Sequence, residues 1–169
     1  MKRLIVFVTA LAVLALAFAL ADEHKKEGTT TEAKPDHIML TGPELKWVDG
    51  PLALPPGAKL AVLEGNPAQT GLFTMRLKLP ANYKVSPHWH PADEHLTVIS
   101  GSFFMGIGEK FDEKAMKELP VGGFAVMATG TRHFAMTKKE AVVQVHAMGP
   151  WGINYVNPAD DPRQAKADK

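Results

Sequence analysis

An all-β fold, built as a single sandwich or barrel, is what this chain predicts. Short apolar runs recur about every ten residues between Gly-, Pro- and Asn-bearing breaks, the rhythm of antiparallel strands and turns. Phe73, Met75, Leu77 and Leu79 alternate with Thr74, Arg76 and Lys78, so one strand face is buried and the other wet. No internal repeat is visible in the 169 residues. One barrel is therefore favoured over two.

The chain opens on Met1-Lys2-Arg3, runs through an apolar stretch at 4–21, and meets Asp22-Glu23 after Ala19-Leu20-Ala21. A basic head, an apolar middle and a small-x-small site are the marks of a secretory signal, here residues 1–21. The same stretch is just long enough for an uncleaved membrane anchor, and the Ala-x-Ala site favours cleavage. No Cys follows it, so an anchor on a lipidated cysteine is excluded. The expectation is an exported protein, periplasmic or secreted, with no membrane contact after cleavage. Residues 22–37 are polar and charged, with three consecutive threonines, and read as a leader. The barrel domain is expected over 38–157, and the polar stretch 158–169 reads as a tail.

Within the domain, strands are expected at 60–63, 73–79, 94–100, 102–107, 123–127, 133–136, 141–147 and 153–156. Each run is apolar or alternating and ends at a Gly, Pro, Asn or charged cluster. Residues 111–119, FDEKAMKEL, carry a helical pattern and predict one short helical insert. Formal charge is +1 with both signs interspersed. No basic patch points to nucleic acid. With no cysteine in the chain, neither a disulfide framework nor a thiolate metal site is available.

The chemistry concentrates in HWHPADEHLTVISG at 88–101 and ATGTRH at 128–133. His88 and His90 are two apart, so on a strand both imidazoles leave one face. Glu94 follows after Pro91 lets the chain bend, and His133 joins only if a second strand lies alongside. Three imidazoles and one carboxylate suit a single metal ion inside a barrel. This donor set takes Fe, Mn, Ni, Co, Cu or Zn and leaves positions open on a six-coordinate ion.

These residues resemble the cupin family. Its first motif matches as His88, His90, Glu94 and Gly101, and its second as Gly122, Ala128, Gly130 and His133. The resemblance spans roughly 77–145 and looks most like single-domain exported bacterial cupins. It implies a double-stranded β-helix, or jelly-roll barrel, with His88, His90, Glu94 and His133 as ligands of a divalent metal. It also implies turns at Gly101 and Gly130 that use positive φ. Three positions depart: Asn82 and Ala128 replace the usual Gly and Pro, and Thr137 replaces the usual Asn. None removes a metal-binding group.

Other residues invite a role. His95 obeys an alternative ligand spacing, but alternation turns it away if Glu94 points inward. Asp93 reads as a solvated turn acid. His146 is the one candidate for a catalytic acid or base near the metal, against a plain strand histidine. Phe103, Phe104, Met105, Phe124, Met127, Phe134 and Met136 read as core, some of them at a cavity mouth. Trp47, Trp89 and Trp151 are ambiguous, with Trp89 opposite to the two histidines. His24 and His37 fall in or at the end of the leader. The expected function is a metal-dependent oxygenase or isomerase acting on a small molecule. The alternatives are a non-catalytic binding or sensing barrel, and a metal-free structural barrel. A homodimer through the region 45–63 is the expected assembly.

Overall fold

In the computed structural model, residues 37–164 are described; the signal and leader readings at 1–36 lie outside them, as does the end of the tail at 165–169. Eleven strands are present among the described residues: β1 (Val48–Asp49), β2 (Lys59–Glu64), β3 (Gly71–Leu79), β4 (Lys84–Trp89), β5 (Glu94–Ser100), β6 (Phe103–Ile107), β7 (Lys117–Leu119), β8 (Phe124–Met127), β9 (His133–Met136), β10 (Ala141–Gly149) and β11 (Asn154–Tyr155). They form two antiparallel sheets, ordered β1-β2-β3-β10-β5-β8 and β11-β4-β9-β6-β7. No helix among these residues is long and apolar enough to cross a membrane.

The alternation read in the sequence sets which face turns in. On β3, Phe73, Met75 and Leu79 are buried; on β10, which pairs with it, Val143, Val145 and Ala147 are. Leu96 and Val98 of β5 join them from the same sheet. The facing sheet contributes Val85, Phe103, Met105 and Ala135. This is the double-stranded β-helix expected of the chain, with its core between the two sheets.

The turns use the residues that the motifs offered. Asn82 has φ 58°, a left-handed conformation that Asn tolerates where most residues do not. Gly101 has φ 72°, and a Cβ there would sit 2.4 Å from the Glu140 carbonyl oxygen. Thr137 is fully buried. Its hydroxyl donates to the Pro80 carbonyl at 2.6 Å and accepts from the Tyr83 amide at 3.1 Å, tying down the turn around Asn82. Thr137→Val keeps the shape and leaves both backbone groups without this partner. The variant should lose about 1–3 kcal/mol, read as a lower urea midpoint with an unchanged slope. An unshifted midpoint would remove Thr137 from the turn's support.

Two expectations are corrected. The insert at 111–119 is no helix beyond a single 3-10 turn at Glu113–Ala115, capped by Asp112, whose carboxylate accepts from the Lys114 amide at 2.9 Å. Its second half is β7, because pairing with β6 satisfies the backbone and buries Leu119 opposite Phe103. A helix this short has no such compensation. The insert instead covers the outside of the smaller sheet, where Phe111 meets buried Phe134 at 5.2 Å between ring centroids. The tail expected from 158 is held in place through 164. Asn157 caps a 3-10 turn at Pro158–Asp160, and Arg163 donates to the Ile153 carbonyl at 3.1 Å.

Candidate metal centre

Three elements bring the histidines together. β4 ends in His88-Trp89, and His88 pairs in register with His133, the first residue of β9. A register shift between Val85 and His88 adjusts β4 just before the site. His90 follows in the bend that leads to Glu94, the first residue of β5. All four side chains are buried, His133 at 1% exposure and Glu94 at 6%. Glu94 points inward with Leu96 and Val98, which turns His95 to the other face.

Each imidazole is held by a backbone carbonyl. The Nδ1 of His88 lies 2.7 Å from the Ser86 oxygen, that of His90 2.8 Å from the Gly152 oxygen, and that of His133 2.9 Å from the Thr131 oxygen. A carbonyl only accepts, so each Nδ1 carries a proton, which in the neutral ring leaves the lone pair on Nε2. The three rings offer nitrogen atoms within 4.8 Å of one another. Glu94 lies beside this group: its Oε2 is 3.5 Å from His133 Nε2 and its Oε1 3.8 Å from His90 Nε2.

The donors fit a metal on more than spacing. His90 Nε2 and Glu94 Oε2 are buried with no hydrogen-bond partner. Buried polar atoms are rarely left so, and an ion between them would satisfy both. Burial lowers the His88 pKa to about 3, helped by the neighbouring His133 and His90. Burial lowers His90 as well. Burial alone pushes the Glu94 carboxyl up, but His133, His90 and His88 outweigh it and leave it below the usual carboxylate value. Neutral imidazoles beside an ionised carboxylate are the protonation states that ligate.

The centre forms one wall of a cavity of about 320 Å³ inside the barrel. The remaining lining is mostly aliphatic, from Met75, Leu77, Leu96, Val143 and Val145, with Phe103 and Met105 from the expected aromatic and methionine set. Phe104, Phe134 and Met136 are core, whereas Phe124 is exposed.

Part of the site was not read from the sequence. Trp151 lies flat on His90, with ring centroids 4.2 Å apart and 16° between planes, and its edge meets Phe73 at 5.7 Å. Gly152, next to it, supplies the carbonyl that orients His90. Tyr155 pairs with His88 across β11 and β4 and donates its hydroxyl to the Ala53 carbonyl at 2.7 Å. The only signal was the Gly-Pro-Trp-Gly turn at 149–152, which brings an aromatic residue back over the barrel mouth.

The other candidates lie elsewhere. His146 is exposed on the outer face of β10, with Thr74 Oγ1 3.1 Å from its Nδ1, and it does not line the cavity. Val143, Val145 and Ala147 take the inward positions on this strand, so period-two alternation turns His146 out. This corrects its candidacy as a catalytic group. His95 is its cross-strand neighbour on the same outer face. Asp93 is a turn acid that accepts from the Thr129 amide at 2.7 Å and its hydroxyl at 2.8 Å. Trp89 lies under Arg132 and Trp47 under Lys78, both outside the site. His37 is exposed, and His24 lies outside the described residues.

The chain matches no curated protein in sequence. Solved structures do resemble it. The polyketide cyclase RemF from Streptomyces resistomycificus has a TM-score of 0.59 at 18% identity, over 76% of this chain and 92% of that one. A putative acetylacetone dioxygenase from Methylibium petroleiphilum gives 0.57 at 16% identity, over 81% and 96%. An RmlC-like cupin from Shewanella frigidimarina gives 0.52 at 14% identity, over 69% and 94%. At these identities the likeness speaks for the fold. A family model described as a domain of unknown function, DUF4437, matches residues 21–154. Its double-stranded β-helix is the fold of the cupin from Shewanella frigidimarina, and by the family match the chain belongs to the DUF4437 family.

Proposed function

We propose that the protein is an exported cupin that holds one divalent transition metal through His88, His90, Glu94 and His133 and acts with it on a small molecule in the barrel cavity. The observation that carries this reading is the buried group of three imidazoles whose ligand nitrogens lie within 4.8 Å of one another, each with its Nδ1 held by a carbonyl. Bound there, the metal supplies Lewis acidity or one-electron chemistry at the coordination positions the protein leaves open. The chain's own part is to hold three neutral imidazoles in fixed tautomers, to neutralise charge with Glu94, and to exclude bulk water with an apolar wall. Fe, Mn, Ni, Co, Cu and Zn all suit this donor set. The resemblance in fold to a polyketide cyclase and a putative dioxygenase is consistent with an oxygenase or isomerase type of reaction.

Export rests on the segment 1–21, and assembly as a homodimer rests on β1, an edge strand with exposed Val48. A second reading, non-catalytic capture of a metal or small molecule, is favoured by the cavity's lining. Among the described residues that line it, Arg163 is the only titratable side chain besides the four donors.

The test starts from protein recovered from its exported compartment without chelator, with its N-terminus expected at Asp22. Elemental analysis identifies the metal, and oxygen consumption is then followed with phenols, thiols and keto acids. Turnover that vanishes in H88A supports the enzyme. Thermal stabilisation by a ligand without turnover shifts the assignment to the binding module. Metal-free protein of full stability that no ligand stabilises refutes both and leaves a structural barrel.

A further inference from the structure

The cavity wall away from the four donors has an unusual property for a binding site: its side chains offer almost nothing to a polar ligand. No Ser, Thr, Asn, Gln, Lys or Tyr side chain lines it among the described residues. One cation does, Arg163, and it is already engaged. Its Nε is 2.8 Å and 3.0 Å from the two Asp161 carboxylate oxygens, and its Nη2 is 2.7 Å from Asp161 Oδ2 and 3.1 Å from the Ile153 carbonyl. This paired fork leaves no full positive charge for a carboxylate or phosphate entering the barrel. The volume of about 320 Å³ lies at the small end of ligand pockets, which run from about 300 to 1,000 Å³.

A sugar or amino acid would have to bury hydroxyl or charged groups against Met75, Leu77, Val143 and Val145. Buried polar groups without partners are costly, and unpaired charges more so. Among the described residues, the wall able to take polar atoms is the histidine–carboxylate wall, with the Trp151 indole lying on His90 at its edge. We infer that the ligand of this cavity is a small, uncharged, largely apolar molecule whose oxygen atoms are confined to one end, as in a phenol or a dicarbonyl. Its oxygen end faces His88, His90, Glu94 and His133, and its apolar body fills the space beneath Leu96 and Phe103. Asp161 is then a specificity residue: by occupying Arg163, it withholds from anions the single cation at the wall. The placement of the oxygen end rests on the metal-centre reading; the apolar body does not.

The test uses two compounds with the same catechol head, ethylcatechol and protocatechuate, which differ in an ethyl group against a carboxylate. Zn(II) is first titrated calorimetrically into metal-free protein, which reports on the metal centre by itself. The two compounds are then titrated into zinc-loaded and metal-free protein. Ethylcatechol should bind at least about 10-fold more tightly than protocatechuate, and D161N should narrow that gap by strengthening protocatechuate alone. Failure of Zn(II) to bind would remove the metal centre while leaving the comparison in metal-free protein to judge the cavity. Equal or tighter binding of protocatechuate by the parent in both forms would overturn the inference. An unchanged gap in D161N would overturn the role given to Asp161.

Discussion

H133A is expected to hold a divalent transition metal at least ~100-fold more weakly than the parent, the upper range for loss of a group that merely orients a ligand. His133 is 1% exposed, pairs in register with His88, and is the imidazole nearest to Glu94. Removing it takes away one of three nitrogen donors and the neighbour that most favours the ionised carboxylate. Among the described residues, no other histidine or carboxylate lines the cavity to take its place. The measurement is metal content after dialysis, with calorimetry for the affinity. H146A serves as the control on folding and on stray histidine binding, since His146 lies on the outer face. It should match the parent within about twofold, as a surface substitution usually does. H133A retaining one tightly held metal per chain would sink the four-residue centre.

How much of this was readable beforehand follows from the range over which each feature is determined. Inward placement of Glu94 over His95 was legible because Gly101 closes β5 at a fixed offset and alternation does the rest. His88 and His90 shared a face by parity alone. His133 could be named from its spacing to Gly130, whose positive φ lets the turn into β9 form. His146 was harder, because AVVQVHAM places valines on both parities and the sequence does not say which row faces the core. Trp151, Gly152 and Arg163 were out of reach for another reason. They arrive from a C-terminal segment whose path over the barrel mouth is set by long-range packing, by the Arg163 bond to Ile153 and by Tyr155 on Ala53. The insert at 111–119 carried an honest helical period that lost to a vacant edge on β6.

Acid should destabilise the metal-free protein well before carboxylates titrate, and the cause lies at the same centre. His88 has a folded pKa of about 3 against an ordinary 6.5, because burial and two neighbouring imidazoles oppose its charge. Between those values the unfolded chain binds a proton that the folded chain does not, so stability rises with pH. The contribution is complete above about pH 6.5 and is lost progressively as pH falls towards 3. At 1.36 kcal/mol per pKa unit, this one residue is worth roughly 5 kcal/mol, a large share of the 5–15 kcal/mol typical of a domain. His90, also lowered by burial, acts in the same direction as pH falls below 6.5. Glu94 is lowered too, so its contribution is present above its unfolded value of 4.5 and is lost only at more acid pH. Urea midpoints measured with chelator at pH 7, 6, 5 and 4.5 should therefore fall steadily, with Glu94 adding only a minor part at the acid end. H88F removes the titrating ring while keeping apolar bulk, and its midpoint should depend less on pH over the same range. Protons compete with a metal for these nitrogens, so the parent's metal affinity should fall across the same interval. A parent midpoint that stays flat from pH 7 to 4.5 would mean that the His88 imidazole is not held neutral, and the centre would lose the protonation state on which its ligation depends.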